Sequence, residues 1–303
     1  MPYAKLSAEM ACELLAKAGV VLEPAGVRVE ARDERWLVRL PAERVAWFAA
    51  SDQGLERLET ERRVLRLLAE RCHFGTPRVL FAQPEFDVRQ MIAGGADPWQ
   101  VYAEVRDRPE IARRIGTSVG ELLAEQHCGI GFGDVGDWLP RRPAWPESRE
   151  WVRQSLPAVV DDRELWARAD AVMAAYEAHL ASDADSVLVH TDVGLHNLAI
   201  DPGTRAVRGL FDYDGAAWAD RHHDFRYLVF DWDRQDMLEA ALTAYEPVAG
   251  YRIDRRRVLL YNAACAVGFL GFRAGRQPEE RWCGRTLDED LRWSRLAIAR
   301  ALE

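Results

Sequence analysis

Residues 187–214, VLVHTDVGLHNLAIDPGTRAVRGLFDYD, constrain the fold more than any other stretch of this sequence. Three short apolar runs, at residues 187–189, 198–200 and 207–211, alternate with polar residues. Residues 201–204, Asp-Pro-Gly-Thr, are typical of a turn. The pattern predicts a strand, a loop and a second strand, then a turn and a third strand, with polar side chains at the strand ends.

Three polar side chains lie at the ends of these predicted strands. Asp192 and Asn197 share one short loop, and Asp212 follows the hairpin that returns the chain to that loop. Phosphoryl transfer uses such a set, in which one carboxylate orients the attacking hydroxyl and accepts its proton. An amide oxygen and a second carboxylate can hold Mg²⁺ against the phosphates. The alternative is two buried strands whose loops carry solvated acids, but the hairpin before Asp212 favours the phosphoryl-transfer set.

The spacing H-x-D-x-x-x-x-N at residues 190–197 matches the catalytic loop of protein kinases, which a metal-binding Asp follows. In its wider context, this part of the chain resembles the aminoglycoside phosphotransferase family. That family also includes choline-kinase-like enzymes and kinases of macrolide and peptide antibiotics. The residues that carry the resemblance are His190, Asp192, Gly194, His196, Asn197, Asp212, Asp220 and Asp224.

The resemblance implies a role for each of five residues in this region. Asp192 is the expected catalytic base, and Asn197 and Asp212 are the expected Mg²⁺ ligands. His190 and Asp224 are expected to be structural, because the second acid of the family's later motif braces the catalytic loop.

The N-terminal region predicts an antiparallel meander followed by a helix. Short β-forming runs at residues 27–31, 36–40 and 45–49 are closely spaced, and a helix is predicted at about residues 55–71. Glu61 lies on the apolar face of that helix, where a carboxylate is costly unless a cation or hydrogen bonds compensate it. In the family, a Glu on this helix pairs with a phosphate-binding Lys. The alternative is a Glu at the edge of the apolar stripe with its carboxylate in water.

That Lys is missing from this chain. The third strand, expected to read Val-Ala-x-Lys, reads Val45-Ala46-Trp47-Phe48, and no Lys follows Lys17. No glycine-rich loop is present among the predicted strands either. Arg39 is the candidate replacement if the strands are registered one earlier, because arginine can bind phosphate in a bidentate manner. Arg39 as an ordinary charge on a strand surface is the alternative.

The resemblance also implies where the nucleotide and the acceptor bind. Backbone groups of the interlobe hinge, among them Met91 and Ala93, are expected to hold the adenine. The C-terminal region is expected to form the acceptor pocket, with Asp214 and Asp231 as candidate acids for a cationic substrate. The expected division is an N-terminal nucleotide-binding lobe at residues 1–93 and a catalytic and substrate-binding lobe at residues 94–303.

Composition narrows the classes of partner and compartment. The net charge of -9 argues against nucleic acid, and it is compatible with a cationic substrate or with plain solubility. The sequence contains no apolar run of about 18 residues, so no membrane span is expected. The five cysteines are scattered and form no CxxC pair, which predicts reduced thiols in a cytoplasmic protein.

The family resemblance implies an α+β fold, a protein-kinase-like arrangement of a small sheet lobe and a larger, mostly helical lobe. The expected activity is transfer of the γ-phosphoryl group of ATP or GTP to a hydroxyl of an aminoglycoside-like or other small substrate, with Mg²⁺. One alternative is a metabolite kinase of the choline, homoserine or sugar type. The other is a catalytically silent nucleotide-binding scaffold. The sequence leaves the acceptor, a role in antibiotic resistance, the nucleotide preference and the oligomeric state open.

Overall fold

An antiparallel sheet of five strands is built from the N-terminal part of the chain. This computed structural model describes residues 5–32, 34–93, 95–136, 138–179, 185–229, 234–282 and 284–303. The strands of the sheet are β1 (Val29–Arg32), β2 (Arg35–Leu40), β3 (Arg44–Ala49), β4 (Arg78–Gln83) and β5 (Phe86–Gln90). They lie in the order β1-β2-β3-β5-β4. The predicted meander is confirmed, because the first and last residues of β1, β2 and β3 lie within two residues of their predicted positions.

The two faces of this sheet differ because side chains alternate along each strand. Helix α1 (Ala8–Lys17) covers an apolar face that includes Phe48 and Phe86. Helix α2 (Asp52–Arg71) packs on the sheet beside β3, and its first turn is capped by the side chain of Ser51. The face that α2 covers carries the buried charged residues Arg35, Asp87 and Arg89, which are described below.

The rest of the chain is mostly helical. Its helices are α3 (Pro98–Asp107), α4 (Pro109–Gly129), α5 (Phe132–Val135), α6 (Arg149–Ser155), α7 (Arg163–His179), α8 (Asp236–Ala249), α9 (Arg255–Gly271) and α10 (Leu287–Leu302). Helices α4 and α8 can approach closely because Gly116 and Gly120 have no Cβ. A Cβ at either position would lie 2.1 Å from a carbonyl oxygen of α8. The two-lobed α+β architecture is confirmed, while the boundary at residue 93 stays a prediction.

Two small antiparallel sheets of two strands each are formed within residues 186–220. Strand β6 (Ser186–Val189) pairs with β9 (Ala217–Asp220), and β7 (Leu198–Ile200) pairs with β8 (Val207–Leu210). The predicted alternation of strands, loop and turn in this stretch is confirmed. The backbone of Gly75 bonds to both Arg208 and Leu210 of β8 at 3.0 Å, which fastens the chain after α2 to this hairpin.

Among the residues that the structure describes, no helix combines the length and apolar character that crossing a bilayer requires.

Candidate active site

The loop between β6 and β7 is held by one buried carboxylate. Asp224 accepts hydrogen bonds from the backbone N–H groups of His190 at 3.0 Å and Thr191 at 2.7 Å. A ring nitrogen of His127 lies 3.0 Å from the same carboxylate. Because these backbone groups are buried, the carboxylate satisfies donors that would otherwise be costly to leave unpaired. The bracing contacts predicted for Asp224 are confirmed.

His190 links this loop to the chain segment that carries Asp212. Its Nδ1 accepts a hydrogen bond from the backbone N–H of Asp192 at 3.2 Å. With Nδ1 as the acceptor, Nε2 carries the proton of the neutral ring and donates to the carbonyl oxygen of Phe211 at 2.9 Å. The structural role predicted for His190 agrees with these two contacts, which tie both functional loops to one imidazole.

Two residues of the site have left-handed backbone conformations. Thr191 has φ 73° and Asp212 has φ 72°, and the former is unusual for a β-branched side chain. The Thr191 hydroxyl donates to the carbonyl oxygen of Gly215 at 3.0 Å, and Arg226 donates to the Thr191 carbonyl oxygen. Such backbone strain costs about 1–3 kcal/mol and persists where surrounding contacts over-determine it.

Asp192 is held by two neighbours on its own loop. The Asn197 amide nitrogen donates to Oδ2 of Asp192 at 2.9 Å, and Nε2 of His196 lies 3.1 Å from the same oxygen. Neither contact uses Oδ1, and the Asp192 side chain is 43% exposed. Burial by surrounding protein atoms raises the pKa of Asp192, but the hydrogen bond and charge of His196 outweigh it and the net shift is downward. The carboxylate is therefore ionised and open to a further hydrogen bond.

The contact with His196 was not predicted from the sequence. His196 carries part of the family resemblance, which implies no role for it. A Cβ at Gly194 would lie 2.5 Å from Cε1 of His196, so Gly194 leaves the space in which this ring folds back. The spacing of four residues between Asp192 and His196, with a glycine between them, is the signal that sequence reasoning could have used.

Asp212 lies beside this loop in an environment rich in negative charge. The backbone N–H of Phe211 donates to the Asn197 carbonyl oxygen at 3.1 Å, which brings the two predicted metal-binding segments together. Burial raises the pKa of Asp212 to about 7, and the carboxylates of Asp214 and Glu61 add to the effect. A bound cation would relieve this accumulation of charge.

The donor set at this position fits Mg²⁺. Both Nδ2 hydrogen bonds of Asn197 go to Asp192, at 2.9 Å each, and these bonds leave the amide oxygen available to a metal ion. Asp212 contributes a carboxylate, and hard oxygen donors of these two kinds suit Mg²⁺.

A second group of ligand-like side chains is already engaged within the protein. Asp185, Asp220 and His222 lie close enough to share an ion. Arg257 is 2.5 Å from Asp185 and 3.1 Å from Asp220, and Tyr261 donates to Asp220 at 2.7 Å. These contacts satisfy the carboxylates with protein donors, so the group is structural.

On the sheet side, Glu61 is paired with two arginines. It is 2% exposed, and it accepts from Arg35 at 3.1 Å and from Arg89 at 2.7 Å. Burial raises the pKa of Glu61, but the two guanidinium groups lower it below its ordinary value. The prediction that Glu61 is buried and paired with a cation is confirmed.

The predicted cation was nevertheless wrong. Arg39 is 67% exposed and lies 3.4 Å from Glu30 on the neighbouring strand. Arg35 and Arg39 share one face of β2, but they lie four residue steps apart along the strand, a distance of about 13 Å. Arg35 pairs with Ala49 at the end of β3, and the chain then continues into α2, the helix that carries Glu61. Arg39 lies toward the other end of β2. No local pattern in the sequence marks Arg35 or Arg89 as the partner of Glu61.

Asp214 is also placed differently from its prediction. The side chain was expected to bind an acceptor, but its Oδ2 lies 2.6 Å from Arg35 and 3.0 Å from Arg57. Both arginines come from the sheet lobe, and their contacts leave Asp214 only 14% exposed. The other candidate acid, Asp231, lies outside the described residues.

The hinge segment makes two contacts of its own. The backbone N–H of Met91 donates to the Glu43 carbonyl oxygen at 2.8 Å, so this donor is already used. The Ala93 carbonyl oxygen accepts from Arg208 at 3.3 Å. A role of Met91 and Ala93 in adenine binding stays a prediction.

Comparison with known proteins agrees with this geometry. The model of APH, the phosphotransferase enzyme family, matches residues 21–261. No curated protein matches the sequence.

Among solved structures, the GDP and kanamycin complex of APH(2")-IIIa has a TM-score of 0.68 at 16% identity, covering 96% of this chain and 98% of that one. The streptomycin and ATP complex of APH(2")-IIa has a TM-score of 0.62 at 14% identity, covering 98% and 96%. The macrolide 2'-phosphotransferase MphH from Brachybacterium faecium has a TM-score of 0.60 at 19% identity, covering 90% and 100%. At these identities the likeness concerns the fold.

Proposed function

Because this chain belongs to the phosphotransferase enzyme family, we propose that it transfers the γ-phosphoryl group of ATP or GTP to a hydroxyl group of a small molecule. The observation that carries the proposal is the grouping of Asp192, Asn197 and Asp212. One loop holds the first two, and the bond between Phe211 and Asn197 joins the third to them.

Asp192 is the proposed catalytic base. Asn197 and His196 both contact Oδ2 of Asp192, and neither of these contacts uses Oδ1. The ionised carboxylate orients the acceptor hydroxyl through Oδ1 and takes its proton as the phosphoryl group is transferred. Because Asp224 fixes the backbone just before Asp192, the base is positioned before the acceptor arrives.

Asn197 and Asp212 are the proposed ligands of Mg²⁺, which when bound neutralises phosphate charge. Glu61 keeps Arg35 and Arg89 ordered on the sheet side of the same site. This pairing compensates the buried carboxylate although the expected lysine is absent, and the turnover test below distinguishes a kinase from a silent scaffold.

The acceptor proposed first is an aminoglycoside-like hydroxyl compound. APH(2")-IIIa and APH(2")-IIa were solved with kanamycin and with streptomycin, and their partners GDP and ATP support a purine nucleotide here. The likeness to MphH supports a macrolide as the next acceptor to try. A metabolite kinase of the choline, homoserine or sugar type shares the same central residues and belongs in the same test.

The test is Mg²⁺-dependent turnover of ATP and GTP with kanamycin, streptomycin, a macrolide, choline, homoserine and glucose. We expect turnover with one acceptor class, and a loss of at least about 100-fold in kcat for Asp192→Asn. Asp107→Asn, which changes an exposed acid of α3, is the matched control and keeps full turnover. Turnover that survives in Asp192→Asn, or a protein that binds neither nucleotide, contradicts the proposal.

A further inference from the structure

Trp47, one residue before the position expected for the strand lysine, has an arginine above its ring. Trp47 lies on β3 opposite Leu37 of β2, and the Arg35 guanidinium is 4.4 Å from the centre of its ring. This position on the sheet faces α2 and Glu61. The cation that reaches Glu61 from this side therefore comes from the neighbouring strand and uses the indole ring as its support.

Arg35 and Arg89 both reach Glu61, but they have different second partners. Arg89 holds Asp87 of its own strand at 2.8 and 2.9 Å, so its contacts stay within the sheet lobe. Arg35 instead reaches Asp214 at 2.6 Å, a residue 179 positions away in sequence. Asp214 follows Asp212 by two residues, so Arg35 joins α2 to the segment proposed to bind the metal.

The contacts of Arg35 distinguish this link from a phosphate-binding site. One terminal nitrogen donates to Glu61 at 3.1 Å and the other to Asp214 at 2.6 Å. The side chain is 3% exposed, and its flat face lies on Trp47. Both ends of the guanidinium are occupied by carboxylates, so Arg35 is arranged to hold two acids together.

The charges explain why such a link is needed. Asp212, Asp214 and Glu61 interact electrostatically as three neighbouring carboxylates. Buried like charges repel one another strongly, and a cation placed between them offsets that repulsion. Arg35 lies between two of the three, and Arg57 adds a second contact to Asp214 at 3.0 Å.

We propose that Arg35 is a positioning residue that couples α2 to the metal-binding segment by bridging Glu61 and Asp214. It takes over from the missing lysine the task of connecting this helix to the site, but its partners are carboxylates and not phosphates. The proposal rests on the proposed function, because it assumes that Asp212 binds Mg²⁺ with the nucleotide.

The test measures nucleotide affinity with and without Mg²⁺, which needs neither an acceptor nor turnover. The readout is the factor by which Mg²⁺ tightens ATP binding, determined by calorimetry. Arg35→Met removes the charge and keeps the length of the stem, while Asp214→Asn breaks the same link from the other side. Arg39→Met is the matched control, because Arg39 belongs to the same strand and the same face but is exposed.

We expect Arg35→Met and Asp214→Asn each to lower the Mg²⁺ factor about tenfold, in the range typical of coupled sites. ATP affinity without Mg²⁺ should stay within about twofold of the native protein. The double variant should be no worse than the poorer single variant, because both changes break one link. Arg35→Lys should recover only part of the factor, since one ammonium group cannot span both carboxylates as the guanidinium does. Arg39→Met should have no effect.

Two results overturn the proposal. If Arg35→Met weakens ATP binding equally with and without Mg²⁺, Arg35 contacts the nucleotide itself. If the two single effects multiply in the double variant, Arg35 and Asp214 act independently. Should Arg35→Met fail to fold, Asp214→Asn decides alone, because Glu61 still compensates Arg35 in that variant. A native protein that binds neither ATP nor GTP more tightly with Mg²⁺ would instead refute the proposed function, before any variant is compared.

Discussion

The two sides of the site fix their acidic residues in different ways. On the helical side, Asp224 gathers two backbone N–H groups and so holds the loop that carries Asp192. On the sheet side, Glu61 is held by two arginine side chains from different strands. One arrangement fixes the backbone of the loop, and the other fixes side chains against each other.

The difference predicts how each side tolerates the loss of its acid. Without Asp224, the buried N–H groups of His190 and Thr191 lose their acceptor. Without Glu61, Arg89 still contacts Asp87 and Arg35 still contacts Asp214. We therefore expect the loss of the acid to destabilise the helical side more, because its donors share one acceptor, whereas the ion pairs on the sheet side form a network.

The largest effect is expected for Asp224→Asn. The change leaves an amide group facing backbone donors in a fully buried position, and the expected loss is about 3 kcal/mol in the free energy of unfolding. Urea denaturation measures it, and near-complete loss of turnover should accompany it. A loss below about 1 kcal/mol would mean that Asp224 is not the brace of this loop.

A smaller effect is expected for Glu61→Gln. The glutamine keeps the shape, and the two arginines keep their other acids, so we expect a loss of about 1–2 kcal/mol in the same denaturation experiment. Glu59→Gln, a change of an exposed glutamate on the same helix, should leave stability unaltered. If Glu61→Gln costs more than Asp224→Asn, the contrast between the two sides is wrong.

Thr191 offers a comparison within the helical side. Thr191→Val keeps the branched side chain at positive φ but loses the hydroxyl bond to Gly215, for an expected loss of about 1 kcal/mol in the free energy of unfolding. Thr191→Gly loses the same bond but relieves the left-handed strain, so its stability should stay close to that of the native protein. Equal losses in the two variants would show that the backbone here is not strained.

The smallest effect is expected for His196→Ala. Asn197 still holds Oδ2 of Asp192 in this variant, so kcat should change less than about fivefold, against at least about 100-fold for Asp192→Asn. Steady-state kinetics with the acceptor found in the turnover panel makes the comparison. A loss in His196→Ala as large as in Asp192→Asn would make His196 part of the proton-transfer machinery.

The same contrast explains what the sequence could predict. The hairpin before Asp212 follows from the local turn residues 201–204, and the buried face of Glu61 follows from helical spacing. These features depend on residues that are close together in the sequence, so the sequence alone predicts them.

The partners of Glu61 and Asp214 depend on strand register and on contacts between distant segments. The family resemblance made Arg39 the candidate partner of Glu61, through an earlier register of the strands, because the sequence does not reveal which end of β2 meets α2. Asp214 seemed free because its partner Arg35 belongs to the opposite lobe. Side-chain ion pairs of this kind leave no local pattern, so only the structure could assign them.

The most direct test of the account is the effect of Mg²⁺ on nucleotide binding by the native protein and by Asp212→Asn. Asparagine tolerates the left-handed backbone at this position and keeps the shape of the side chain. We predict that Mg²⁺ tightens ATP or GTP binding at least about tenfold in the native protein and has little effect in Asp212→Asn. Equal tightening in both proteins would show that Asp212 does not hold the metal, and would contradict the account of this site.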